Sequence, residues 1–440
     1  MSALNIADLK PGMCLARDVK DRNGRLLLNA GLELTDKHLR VLRIWGVTEA
    51  HIQGESRESV AEQAAADVDP QVLARAEEAV AWRFLHCNPD QDVVAELRRI
   101  CVQREVREML RKGVEGMEVS SQEGEDDASH DKDGAEQETG KAAVEAGETR
   151  LEKEPAQPRT KISPNELVRD ELVLGTLPKI FHKLVDVVND SRNSAADVAE
   201  VIARDVDLSA RLLKVVNSPF YGLASRIDTI SRAVAVVGSN QLLALAMGIS
   251  VVSTFTGIPK DLADMESFWR HSIACGIGAR ILAGYSHTPN TERFFVAGLL
   301  HDIGRLMIYK LMPDSGRLIL SKAAKDKRLL VDVEQDVLGF THHRLGGVLL
   351  KQWKLPVSLE MNVRRHHDPS LAANPREAAI IAVADLLANT VQLGASGERY
   401  IPRLESGAWE VLDLPLSIVG QAMEQMEYQV DEILEFFTHE

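Results

Sequence analysis

The chain is predicted to be mainly α: a multi-helix domain preceded by a small α+β module and an acidic linker. Three observations lead there. Hydrophobic residues make up 45% of the 440 residues but aromatics only 5%, which favours helices packed with Leu, Ala and Val over a β-sandwich. Beyond residue 161, apolar residues recur at helical spacing without strand-like alternation. Between them lies Glu123–Glu154, with twelve acidic residues, four basic ones and no aromatic. Such a composition buries too little apolar surface to offset the entropy of ordering it.

Residues 1–55 read as the α+β module. Met13–Val19 is an expected strand, Asn23-Gly24 a hairpin turn and Arg25–Leu28 the partner strand. Thr35-Asp36 can cap a helix bearing Leu39, Leu42 and Ile44 that stops near Gly46, and Val47–Ile52 can return as a strand. Residues 56–115 show two helical periodicities, Val72 to Phe84 and Val93 to Cys101, with no chemistry in them. Residues 116–160 are expected to be a flexible acidic linker, ended by Pro155, Pro158 and Pro164. Residues 161–440 are expected to be all-helical, with helices over 195–215, 230–237, 266–284, 293–311, 343–353, 357–366 and 376–391.

The charge balance excludes one class of function. Lys and Arg total 51 against 66 Asp and Glu, a formal net charge of −15. Nonspecific nucleic-acid binding needs clustered cations to replace condensed counterions, so no nucleic-acid partner is expected. Met1–Asp8 lacks the basic stretch and apolar core of a signal peptide. The run Leu242–Phe255 is too short and too polar to span a bilayer. Cys14, Cys87, Cys101 and Cys275 form no close pair. A cytoplasmic protein without membrane insertion is the expectation.

The chemistry-bearing residues are His271, His301-Asp302, His342, His366-His367 and Asp385. Asp302 and Asp385 stand within apolar helical text, where a buried carboxylate must find a cation, a metal or strong donors. Imidazole and carboxylate are the donors that borderline and harder divalent ions take. An Asp bridging two such ions would activate water for attack on a phosphate ester. The plainer reading is a set of core residues hydrogen-bonded to one another.

At these residues the sequence resembles the HD phosphohydrolase superfamily, and within it the HDOD domain of bacterial signalling proteins. The resemblance runs over about 165–390, with a core near 171–370. It is carried by Leu177-Pro178, Val216–Gly222, Ala233–Gly238, Phe268–Ser272, Gly298–Gly304, Gly339–His342, Trp353–Pro356 and His366-His367. Leu9–Met13, Ala16–Asp18 and Asn23-Gly24 resemble the short module that precedes HD-GYP domains, whose enzymes hydrolyse cyclic di-GMP at a metal centre. The HD-GYP ligand order maps onto His271, His301, Asp302, His342, His366, His367 and Asp385.

The resemblance implies a regulatory, mostly non-catalytic module that binds signalling proteins or a nucleotide and retains a centre of about two Fe, Mn or Zn ions. It implies, alternatively, a phosphohydrolase acting on cyclic di-GMP or another nucleotide phosphate. There His271, His301 and Asp385 would hold one ion and His342, His366 and His367 the other. Asp302 would bridge them as a catalytic group, and Arg305 would stabilise phosphate charge.

Departures from the HD-GYP pattern favour the regulatory reading. Asp368-Pro-Ser-Leu replaces the Gly-Tyr-Pro signature, Arg305 replaces a Lys, and Ser267 replaces a Glu, with Glu266 one position off. A third metal is therefore not expected.

Other motifs read as structural. Gly276-x-Gly278 lacks the third glycine of a dinucleotide loop and reads as close helix packing. Asn217-Ser218 reads as a helix stop, and Trp269, Trp353 and Tyr221 as packing aromatics. Lys322–Arg328 reads as a solvated face. His342-His343 reads as one inward and one exposed residue.

Overall fold

The computed structural model describes residues 2–5, 9–20, 26–44, 47, 49–53, 69–122, 163–169, 178–190, 192–218, 221, 223, 225–255 and 257–438. Its strands all lie in the first 52 residues. β1 (Ser2–Asn5), β2 (Val19–Lys20), β3 (Leu26–Leu28), α1 (Asp36–Ile44) and β4 (Glu49–Ile52) form the front module. β2 pairs antiparallel with β3, and β1 with β4 in the register Ser2 to Ile52. The β1 strand was not expected from the sequence. Cys14 and Leu15 make only isolated bridges, to Glu33 and Ile52, so the expected strand over 13–19 is reduced to its end. Thr35 Oγ1 accepts from His38 N, as its capping role requires. The Asn23-Gly24 turn and Gly46 lie outside the described residues. A separate small core of Leu9, Leu15, Val19, Leu34, Leu39, Leu42, Val47, Ala50 and Ile52 holds this module together.

The elements described beyond the front module are helices. α2 (Pro70–Ala81) and α3 (Asp92–Gln122) flank a short 3₁₀ turn at Trp82–Phe84. Residues 116–122, expected in the linker, continue α3; the acidic stretch after them lies outside the described residues. α4 (Pro164–Arg169) and α5 (Lys179–Asn189) come next. The helix expected over 195–215 is two, α6 (Ala195–Ala203) and α7 (Val206–Val216). Asp205 interrupts it by leaving helical backbone and accepting from Leu208 N, which starts a new helix. Asn217 then closes the turn, donating to Leu213 O and Ile227 O and accepting from Ile227 N.

α8 (Ile230–Val237) and α9 (Ser239–Val252) follow, with Leu242–Val252 almost wholly buried. No single helix among the described residues is long and apolar enough to cross a membrane. α8 and α9 pass that test only jointly, and they are bent 119° apart.

α10 (Met265–Tyr285) is the central helix of the site. It packs against α11 (Glu292–Leu300) and against two later helices, α17 and α18, whose ranges follow. The chain continues through α12 (Ile303–Leu311), α13 (Pro313–Asp326), α14 (Leu330–Leu338), α15 (His342–Gln352) and α16 (Val357–Arg365). It ends with α17 (Pro375–Val391) and α18 (Ser417–Thr438).

Glycines set two of the crossings. A Cβ on Gly298 would lie 2.7 Å from Gly276 Cα, so α10 and α11 meet backbone to backbone. Gly278 lies against Met426 and Ala384, which is the packing role expected of the Gly276-x-Gly278 pair. Trp269 is buried beside Phe268, and Trp353 stacks edgewise on Phe181.

Candidate metal centre

The helix expected over 293–311 breaks at His301-Asp302. Asp302 leaves helical backbone (φ −97°, ψ 9°), and His301 Nδ1 lies 2.6 Å from Gly298 O, closing the end of α11. That break turns both side chains into the interior. Gly304, one turn on, lets α15 approach α12 so closely that a Cβ there would sit 2.0 Å from His342 O. Asp302 thereby reaches His342.

The structure brings all seven sequence-predicted ligand residues together. His271 Nε2 is 3.2 Å from Asp385 Oδ1 and 3.9 Å from Asp302 Oδ2. His301 Nε2 is 3.2 Å from Asp302 Oδ2 and 3.4 Å from Asp385 Oδ1. On the other side, His342 Nε2 is 3.1 Å from Asp302 Oδ1 and 3.1 Å from His367 Nε2. Ligand atoms of His271, His301 and Asp302 lie within 4.8 Å of one another, as do those of His342, His366 and His367. Asp302 stands between the two groups, one oxygen facing each.

Several of these atoms fit a cation better than one another. His271 Nε2, His301 Nε2, Asp302 Oδ1 and His366 Nε2 are buried without a hydrogen bond. With Nδ1 of His301 and His366 against the carbonyls of Gly298 and Val363, the neutral rings present Nε2 lone pairs inward. Lone pairs and carboxylate oxygens at such distances repel unless a proton or a metal ion lies between them. The donor set of imidazole and carboxylate suits iron, manganese or zinc.

Without metal, protons do that work. Burial alone would lower His301, but the Asp302 carboxylate holds it well above the usual imidazole range. His342 is likewise raised against burial, by Glu334. Burial would raise Asp302, yet Arg305, His301 and His342 hold it well below the carboxylate range. Burial would likewise raise Asp385, yet the adjacent His271 and His301 hold it well below that range. His366 and His367 are pushed far down, by burial and then by the neighbouring histidines, and stay neutral.

Four neighbours carry no signal of their own in the sequence. Glu334, 2% exposed, accepts from His342 N and pairs with its Nδ1 at 2.7 Å. Asn389 donates to Asp385 Oδ1 at 2.7 Å. Ser396 accepts from Arg305. His343, expected to be exposed, is buried, with Nδ1 2.7 Å from Arg364 O. Close packing of α15 on α16 turns it inward.

Three further residues named in the sequence are placed as follows. Arg305 is 4% exposed and engaged with Asp302 at 3.0 Å, Glu334 at 3.6 Å and Ser396. Glu266 is exposed, and the Ser267 hydroxyl accepts from Ala395 N, so neither joins the centre.

His343 supports a pH prediction. Burial, then the neighbouring His342, pushes its pKa down to about 4. The unfolded side chain titrates near 6.5, so between those values the unfolded state binds more protons and stability falls with falling pH. Chelator-treated protein is expected to lose about 2 kcal/mol more between pH 7 and pH 5 than a His343→Gln variant. Denaturant titrations at the two pH values measure this; equal losses would mean that His343 accepts its proton in place.

Comparison with known proteins places the helical part in a class. Residues 174–369 match the family model of the HDOD domain, and that part of the chain is an HDOD domain. Asp385 lies beyond the matched residues. A solved HDOD domain protein of unknown function from Geobacter sulfurreducens shares the fold, with 23% identity and a TM-score of 0.51 over 63% of this chain and 99% of that one. A Shewanella amazonensis SB2B protein provisionally named a phosphohydrolase is 26% identical, over 59% of this chain and 92% of its own, with a TM-score of 0.47. A Treponema pallidum (strain Nichols) protein, named only as uncharacterized, is 26% identical over 219 residues, which are 47% of this chain and 41% of that relative. The match thus spans less than half of the curated relative.

Proposed function

We propose that this chain is a regulatory protein of bacterial signal transduction whose HDOD domain is a non-catalytic interaction module built around a metal centre. One observation carries the reading: the ligand-type residues are assembled but sealed. His271, His301 and His342 are fully buried, Asp302 and His366 are 2% exposed and Asp385 5%, and His367 alone keeps partial exposure. A phosphate ester would have to reach Asp302 through packed protein. The cation that would meet it, Arg305, is held by carboxylates inside.

His271, His301 and Asp385 would hold one ion, and His342, His366 and His367 the other, with Asp302 between. When bound, such ions supply Lewis acidity and lower the pKa of water. In this reading their role is to hold helices α10, α12, α15, α16 and α17 in one arrangement that a signalling protein or nucleotide reads.

The alternative, a phosphohydrolase of cyclic di-GMP or another nucleotide phosphate, draws on the completeness of the ligand set. Assays with Mn²⁺, Zn²⁺ or anaerobic Fe²⁺ on a panel of nucleotide esters including cyclic di-GMP separate the two. The expected result is no metal-stimulated turnover. Turnover that disappears in Asp302→Ala would transfer the protein to the phosphohydrolases.

A further inference from the structure

We propose that a second cavity, next to the histidine cluster but distinct from it, binds the phosphate group of a small phosphate monoester. The cavity measures about 300 Å³ and lies where α4 packs on α15, beside the C-terminal end of α16. Its charged lining is wholly cationic: Arg344, Arg364 and Arg365. Guanidinium groups only donate, so the complementary ligand is rich in acceptors and negatively charged.

The arginines are positioned rather than loose. Arg364 is tied to Glu360 at 2.7 Å and Arg365 to Asp368 at 2.9 Å, which leaves the cavity net cationic. The Nε atoms of Arg364 and Arg365 are nevertheless buried without a hydrogen-bond partner. Gly347 fixes the first of them: a Cβ there would lie 2.6 Å from Arg364 Cβ and 2.7 Å from its Nε, so the arginine lies directly on α15. Arg344 stands exposed at the rim.

The remaining lining defines the size and the other half of the ligand. Phe340, Val348 and Pro164 supply an apolar wall beside the arginines. The volume is at the lower end for small-molecule sites, which suits a phosphate ester with one modest organic group. Pro164 and Asn165 precede the residues matched to the HDOD family, so part of this pocket comes from the flank of this chain. The Arg364 carbonyl partners His343, and His366 follows Arg365, so the pocket borders the segment that carries two histidines of the centre without including them.

Isothermal titration of the full chain tests the site, with inorganic phosphate, AMP and adenosine as probes. Each is run after chelator treatment and again with added Mn²⁺. The expected result is saturable binding of AMP, weaker binding of phosphate and none of adenosine, unchanged by the chelator. Arg344→Glu and Arg365→Gln should weaken AMP by at least about tenfold, while Lys322→Glu, at an exposed position of α13, leaves it unaltered. Arg344 is exposed, so its variant keeps the test valid if Arg365→Gln fails to fold. No saturable binding, equal weakening by Lys322→Glu, or binding that needs Mn²⁺ would overturn the proposal; the last would put the phosphate on the metal centre. AMP binding no tighter than phosphate would overturn the assignment to an ester.

Discussion

A Gly304→Ala chain is expected to be destabilised by about 3 kcal/mol or more, a fall in melting temperature of roughly 6 °C or greater. The added methyl would lie 2.0 Å from His342 O, 2.8 Å from His342 C and 3.0 Å from Gly346 N. All three are backbone atoms of the first turns of α15, so no side chain can swing aside. Relief requires α12 and α15 to separate, and the separation draws Asp302 away from His342. Thermal and denaturant unfolding, with metal analysis on the same samples, measure both consequences. A stability within about 1 kcal/mol of the parent would show that the crossing yields and that the close approach is not what positions the centre.

The second large effect is expected from Asp302. Protein purified without chelator and supplemented anaerobically is expected to hold about two divalent ions per chain, and Asp302→Ala to hold none. Asp302 faces both groups of histidines, so one substitution disables both halves. It also strands Arg305 and the His301 imidazolium, whose nearest counter-charge it is, at a stability cost of about 3 kcal/mol in the metal-free state. Asp302→Asn keeps the shape without the charge and should lose the metal with a smaller stability loss. Because His301 and His342 are held protonated without metal, loading must displace protons, and affinity should fall as pH is lowered. No metal in the parent protein under these conditions would leave the histidines as core polar groups paired through shared protons.

The centre was legible in the sequence to an unusual degree because its members are out of place locally. A carboxylate in Ile-Ala-Val-Ala-Asp385-Leu-Leu or a His-Asp pair after Gly-Leu-Leu announces burial, and burial demands a partner. Glu334 made no such announcement. It lies between Asp332 and Asp336 on a short helix, where an acidic residue normally faces water. Only the approach of α15 turns it into the partner of His342. His343 was misplaced for the same reason, since whether a polar side chain meets solvent depends on which helix covers it.

By itself, the sequence determined what local physics controls. Helical periodicity marked most of the α helices around the site, turn and cap residues marked part of the front module, and the metal-type donors were named before any was placed. The tertiary structure alone decided the break at Asp302, the pairing of Ser2–Asn5 with Glu49–Ile52, the inward turn of His343 and Arg305, and the sealing of the centre. Backbone propensity acts over a few residues. The distance between His271 and Asp385, 114 positions apart, is set by how closely glycine-bearing helices pack.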